Sequence, residues 1–146
     1  MASDPFSSTG AAFGARSRRV IAPGASCPCG GGAYEECCGP YLAGGAAPTA
    51  VALMRSRFTA FAVNDAAYLE ATWHPSTRPD RVDLDASLRW RRLTVVRVEE
   101  GQPGDRRGIV EFRAGWTDGG ADGILEERSR FVFQRDRWWY VDGDVT

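Results

Sequence analysis

The sequence predicts an α+β fold, in which helices cover one face of a bent four-strand antiparallel sheet and a small four-cysteine module precedes them. Three observations carry that expectation. All four cysteines of the 146-residue chain fall in one Gly-rich window from Cys27 to Cys38. Apolar residues between Thr49 and Trp73 recur at helical spacing, and from Leu93 onward the apolar period changes to two.

Residues 1–20 are Ser, Gly, Ala and Arg without apolar periodicity, and they read as a flexible leader in which Arg16, Arg18 and Arg19 form a solvated basic cluster. Residues 21–46 hold the cysteines and end in a Gly/Ala/Pro joint. Residues 47–146 form the α+β domain. Val51, Met54, Phe58, Phe61 and Ala62 share one face of a first helix that Thr49 caps, and Asn64-Asp65 breaks it and caps a second. Tyr68, Leu69 and Trp73 point to one side of that second helix before Pro75 stops it. The segment Asp83 to Trp90 is read as one more helical turn.

Four strands follow. Leu93–Val98 is rich in β-branched residues, and Gln102-Pro103-Gly104-Asp105 turns the chain. In the next strand Val110, Phe112, Ala114 and Trp116 alternate with Glu111, Arg113 and Gly115. Asp118-Gly119-Gly120 turns it again into Ile124–Gln134, and Trp138–Val141 completes the meander. Trp138 and Trp139 are adjacent on that last strand, so they face opposite sides. One of them is expected outside the core, over the cysteine module or a partner.

Composition limits function. An apolar content of 43% suits one main core with a satellite stabilised by metal. A net charge of −1 gives no broad field for nucleic acid, although all 18 basic residues are arginine. No apolar run is long enough to span a bilayer or to act as a signal, so a soluble cytoplasmic protein is expected. In that reducing compartment, thiols stay free for metal.

Cys27-Pro28-Cys29 and Cys37-Cys38 flank a seven-residue loop, Gly30 to Glu36, and four thiolates so placed suit one tetrahedral Zn²⁺ per chain. Unligated thiols, or a vicinal Cys37–Cys38 disulfide, are the competing states. Four thiolates fill the tetrahedron, which makes the site structural and argues against a zinc hydrolase. Glu35 and Glu36, with no basic residue between the ligands, argue against nucleic-acid binding through this module.

Cys27-Pro-Cys-Gly, Cys37-Cys38-Gly39-Pro40-Tyr41, Ala47-Pro48-Thr49-Ala50, Leu53-Met54-Arg55-Ser56-Arg57-Phe58, Thr72-Trp73-His74-Pro75, Glu127-Arg128-Ser129-Arg130-Phe131 and Trp139-Tyr140-Val141-Asp142-Gly143 together resemble the YchJ family of bacterial proteins. The resemblance covers nearly everything from Ala25 to Thr146. It implies a SEC-C zinc motif ahead of a nuclear-transport-factor-2-like (cystatin-like) cone, with no assigned activity. The usual motif has eight residues between its second and third ligands, one more than here. Some members repeat the cysteine motif at the C-terminus. No second copy follows in this sequence, so a function needing two zinc modules is not expected.

Within such a cone, His74, Trp73, Arg55, Arg57 and Arg130 are the candidate ligand-binding residues. The lone histidine His74, paired with Glu111, is the candidate for acid/base catalysis. Its competing role is a packed histidine that satisfies local carbonyls. Arg-Ser-Arg-Phe occurs at Arg55–Phe58 and again at Arg128–Phe131, and both copies are expected to converge inside the cone. Their arginines are read either as an ion-pair network with Glu70, Glu111, Glu126 and Glu127 that fixes helix to sheet, or as an anion site. The expected role is binding: another protein through the zinc module, or a small ligand in the cone. The alternative is an enzyme working in the cone cavity. Related cones often dimerise through the open sheet face, so a homodimer is one expected arrangement.

Overall fold

The computed structural model describes residues 18–85 and 87–146. A short 3-10 turn, Tyr34–Glu36, and helix α1, Gly39–Leu42, carry the cysteine module. Helices α2, Ala50–Ala62, and α3, Ala66–Thr72, follow, and then strands β1, Arg89–Glu100, β2, Arg107–Asp118, β3, Ala121–Gln134, and β4, Arg137–Val145. The strands form one antiparallel meander in the order β1-β2-β3-β4.

The helix ends follow local chemistry. Thr49 Oγ1 accepts the Ala52 N–H at 3.1 Å, and Asp65 Oδ1 accepts the Tyr68 N–H at 3.0 Å. Between them Asn64 takes φ 61°, a left-handed conformation that Asn tolerates and that ends α2. No helix forms at Asp83–Trp90 among the described residues: a turn closed by the Leu88 N–H on the Asp85 carbonyl leads directly into β1. Arg89 and Trp90 belong to the strand because they pair with Thr117 and Trp116 across the sheet.

Every strand is longer than its apolar core suggests, because pairing continues through charged residues. Register shifts at Trp90/Arg92, Val95/Arg97 and Arg130/Phe131 bend the sheet, as bulges do. On the concave face Val110, Phe112, Ala114, Leu125, Phe131, Trp138 and Tyr140 meet the helices. β4's outer edge is occupied by the chain leaving α3: Trp73 bridges Tyr140, the His74 N–H donates to the Tyr140 carbonyl at 2.8 Å, and Thr77 Oγ1 donates to the Val141 carbonyl at 2.6 Å.

α2 is buried nearly all round. Leu53, Met54, Ser56, Arg57, Phe58, Thr59, Ala60 and Phe61 are all covered. The sheet covers one side and the cysteine module another, and Cys27, Cys29, Cys38 and Leu42 belong to the same hydrophobic cluster as Phe58 and Phe131. Arg18 and Arg19, drawn within the leader, also pack here. The Arg19 N–H donates to the Val63 carbonyl and its guanidinium to the Ala62 carbonyl, both at 2.7 Å, which satisfies the carbonyls at the α2 end. Arg18 reaches Tyr34 Oη at 3.1 Å and Asp65 at 3.6 Å. Residues 1–17, including Arg16, lie outside the described residues.

The two Arg-Ser-Arg-Phe copies do not converge. Only Arg57 enters the cone. Arg128 and Arg130 stand on the outer sheet face, where Arg97, Glu111, Arg128 and Asp144 lie opposite one another across all four strands and alternate in charge. Arg130 meets Asp142 at 2.5 Å and Asp144 at 2.8 Å, Arg128 meets Glu99 at 3.5 Å, and Arg113 meets Glu126 at 2.6 Å. The exposed ion pairs therefore tie strand to strand, and the only arginine of the two copies that links helix to sheet by charge is Arg57, which is buried near Glu127. Period-two alternation puts positions 128 and 130 opposite to the buried Glu127, Ser129 and Phe131.

Candidate metal centre

The cysteine loop is built by short-range bonds. Ser26 bridges Ala33, the Cys27 N–H donates to the Gly32 carbonyl at 2.7 Å, and the Gly30 N–H returns to the Cys27 carbonyl at 2.9 Å. Gly30 at φ 85° and Gly32 at φ 114° make that reversal, a conformation that side chains disfavour. Gly31 serves a different need: a Cβ there would lie 2.8 Å from Cys37 Sγ and 3.3 Å from Cys29 Sγ. The 3-10 turn then delivers Cys37, and Cys38 opens α1.

The four Sγ atoms lie within 4.8 Å of one another. Cys29 Sγ is 3.4 Å from Cys37 Sγ and 3.6 Å from Cys38 Sγ, and Cys37 and Cys38 Sγ are 3.9 Å apart. Zn–S bonds of 2.3 Å in a tetrahedron place sulfurs about 3.8 Å apart, so the donors fit that ion. The seven-residue loop thus still assembles all four sulfurs. Zn²⁺ held by four thiolates would supply a cross-link and no open coordination position.

The electrostatics of the thiols alone point the same way. Hydrogen bonds from Cys29 and Cys38 hold the Cys27 thiol far below the usual range, whereas Cys38 is pushed far up, chiefly by its hydrogen bonds with Cys27 and Cys29 and by burial. Burial, with Cys29 beside it, pushes Cys37 up to about 12. Cys27 is favoured as a thiolate while Cys37 and Cys38 are held protonated, and a divalent cation would relieve that frustration. The cluster is anchored to α2, with Cys27 Sγ 3.6 Å from Thr59 Oγ1 and the Arg55 guanidinium donating to the Cys29 carbonyl at 3.3 Å. Arg55 therefore faces the cysteine loop and not the cone.

Inside the cone, Arg57 donates to the Leu69 carbonyl at 2.9 Å and to Thr72 Oγ1 at 2.7 Å. Its guanidinium lies over the rings of Tyr140 at 4.3 Å and Trp73 at 5.0 Å. Burial lowers its pKa to about 10, opposed by Tyr140, Tyr68 and Glu127. Glu127 is buried in the same interior, where Ser129 Oγ donates to it at 2.6 Å and Tyr140 Oη at 3.3 Å. Gly143 leaves room for that carboxylate, since a Cβ there would collide with it. The cavity, lined by Met54, Arg57, Phe61, Phe112 and Tyr140 among others, has room for about one water molecule.

The remaining candidates are scattered. The His74 ring accepts the Ser76 N–H at Nδ1, 3.1 Å, so Nε2 carries the proton and donates to Gln134 Oε1 at 2.8 Å. Its edge-on contact with Trp139 has ring centroids 5.8 Å apart. Glu111 is on the outer sheet face, 3.9 Å from Arg97. The structure does not bring His74 and Glu111 together; the half-buried His74 ties the chain after α3 to Gln134 at the end of β3. Arg130 is outside the cone, and Trp73 is buried behind Arg57. Trp138 lies in the core and Trp139 is buried under His74 and Arg137, so neither is a free surface over the cysteines. Glu127 is expected from sequence as an arginine partner, but its polar neighbours Ser129 and Tyr140 are not singled out there. The group's signal is polar residues at inward positions of β3, two and four residues before the buried Phe131.

A family model described as YchJ, middle NTF2-like domain, matches residues 49–143. The chain belongs to the YchJ family. A UPF0225 protein of Chromobacterium violaceum is 49% identical to this YchJ-family chain over 126 residues, covering 83% of this chain and 93% of the relative. One from Streptomyces coelicolor is 48% identical over 124 residues, covering 84% and 97%. Two solved structures are similar. A SEC-C-motif-containing protein from Rhodopseudomonas palustris is 36% identical with a TM-score of 0.72, covering 82% of this chain and 98% of that one. Another, from Psychrobacter arcticus, is 27% identical with a TM-score of 0.68, covering 83% and 82%. The α+β cone of the family and the four-cysteine cluster ahead of it are both present here. No helix among the described residues is long and apolar enough to cross a membrane.

Proposed function

We propose that this YchJ-family chain is a zinc-binding protein whose role is to bind a partner, with one structural Zn²⁺ held by Cys27, Cys29, Cys37 and Cys38. The observation that carries it is the four Sγ atoms within 4.8 Å of one another, in a loop packed on α2. The solved relatives described as SEC-C-motif-containing support the metal. A reducing compartment, the cytoplasm, keeps such thiols available to it.

The outward side of the loop, Gly30–Gly32 with Glu35 and Glu36, is exposed and is the surface offered to another protein. Room for about one water argues against a sizeable ligand in the cone, and the separation of His74 from Glu111 argues against acid/base catalysis there. Native mass spectrometry of the purified protein tests the reading. One zinc per chain, lost on Cys29→Ser, is the expected result. Metal-free protein with four thiols that alkylate freely in the native state would sink it.

A further inference from the structure

The four cysteines are not equally reachable. Cys27, Cys29 and Cys38 are 3%, 1% and 1% exposed, whereas Cys37, at the end of the 3-10 turn, is partly exposed. Its outer neighbour is the exposed Gly31. The Cβ that Gly31 lacks would stand 2.8 Å from Cys37 Sγ, so the glycine leaves that sulfur approachable from solvent.

We infer that Cys37 is the oxidation site of the cluster: a hydroperoxide oxidises it first, and Cys29 then closes a disulfide onto it. This rests on the zinc-binding reading, and it adds a response to that site. Ligation to the proposed zinc deprotonates all four sulfurs alike, so access decides which of these thiolates is oxidised, and access singles out Cys37.

The Cys37 thiolate attacks one peroxide oxygen. The S–O bond forms, the O–O bond breaks, and the hydroxide or alkoxide that leaves takes a proton from water. Cys29 Sγ, 3.4 Å away, then attacks the sulfenic sulfur. The S–S bond forms, the S–O bond breaks, and the departing hydroxide is protonated to water. Two thiolates have given two electrons to one peroxide.

Cys38 is the weaker resolving partner although its Sγ is only 3.9 Å from Cys37. Consecutive Cα atoms are about 3.8 Å apart, short of the roughly 4.4–6.8 Å that disulfides span. Cys29 and Cys37 are separated by a loop and carry no such constraint. Their oxidation leaves Cys27 and Cys38 as the only sulfur donors of the set, too few to retain the ion, so peroxide is converted into zinc release.

The test uses the full chain, its zinc content measured beforehand. Hydrogen peroxide is added while a colorimetric chelator follows released zinc, a cyclic diketone tags sulfenic acid, and mass spectrometry maps the tagged and cross-linked peptides. Cys37 is expected to be tagged at least about tenfold more than any other cysteine. Cys29–Cys37 should be the dominant pair, with zinc release tracking it. Tagging first at Cys27, Cys29 or Cys38, a dominant Cys37–Cys38 pair, or zinc retained with all thiols unmodified would each overturn the inference. Mapping is read on the chain loaded with added zinc: a chain that takes up no zinc overturns the proposed function and the inference together, whereas a loaded chain tagged elsewhere overturns the inference alone.

Discussion

Cys27 Sγ and Thr59 Oγ1 lie 3.6 Å apart, both buried, and join the cysteine loop to the middle of α2 across 32 residues of sequence. A hydroxyl beside a metal-ligating sulfur orients it and tunes its charge. Thr59→Val keeps the shape and removes the hydroxyl. It should speed zinc loss to a competing chelator about tenfold, the low end for removing such outer contacts, as measured by the absorbance of the chelator complex.

Because Cys27, Cys29, Cys38 and Leu42 pack in one cluster with Phe58 and Phe131, removing the proposed zinc should weaken the whole chain. Thermal unfolding followed by tryptophan near-UV circular dichroism should show one cooperative transition at lower temperature after chelation. Loss of structure confined to residues 25–46, with an unchanged transition elsewhere, would count against a shared core.

Arg57 and Glu127 are both buried in the cone, and the Arg57 charge is favoured by Glu127. Arg57→Met leaves that carboxylate without the nearby cation and should cost about 3–5 kcal/mol. Adding Glu127→Gln should recover part of the loss. Denaturant unfolding of the two single variants and the double variant checks it through the coupling term.

His74 uses both ring nitrogens, on Ser76 and Gln134. His74→Ala should cost about 1–2 kcal/mol and speed amide exchange at residues 73–78. Glu111→Gln, on the outer face, should stay within about 0.5 kcal/mol of the parent. A specific turnover abolished by either change in a folded protein would favour an enzyme.

On the outer sheet face, Arg130 lowers the Asp144 pKa below its usual 3.8 by hydrogen bonding and charge. A carboxylate with a depressed folded pKa contributes stability that is complete above its unfolded pKa and is lost as pH falls through the folded one. Carbon-detected titration should therefore place the Asp144 midpoint below 3.8, and Arg130→Met should return it.

The parts of this architecture that were legible in the sequence are those fixed by near neighbours. Thr49 and Asp65 cap within three residues, Asn64 and Gly119-Gly120 turn the chain where they stand, and the cysteine spacing closes on itself. What depends on distant partners was not legible. Arg-Ser-Arg-Phe has three destinations, the cysteine loop for Arg55, the cone interior for Arg57 and the outer face for Arg128 and Arg130, because a helix and a strand project alternate residues differently. Arg89 and Trp90 look helical until Thr117 and Trp116 are set opposite them. The Thr59 contact needs the whole loop to be laid against α2, which no local spacing announces.

The chain after α3 has one more effect through its bonds from His74 and Thr77 to β4. A sheet border whose Tyr140 and Val141 carbonyls already accept from a segment of its own molecule offers less free backbone for a foreign strand to extend. At the opposite border β1 carries two bulges and a run of exposed arginines, Arg89, Arg91 and Arg92, which make it a poor template for strand addition. A meander with long outer strands would otherwise invite fibrillar stacking. This one resists it at one border by occupancy and at the other by irregularity and charge.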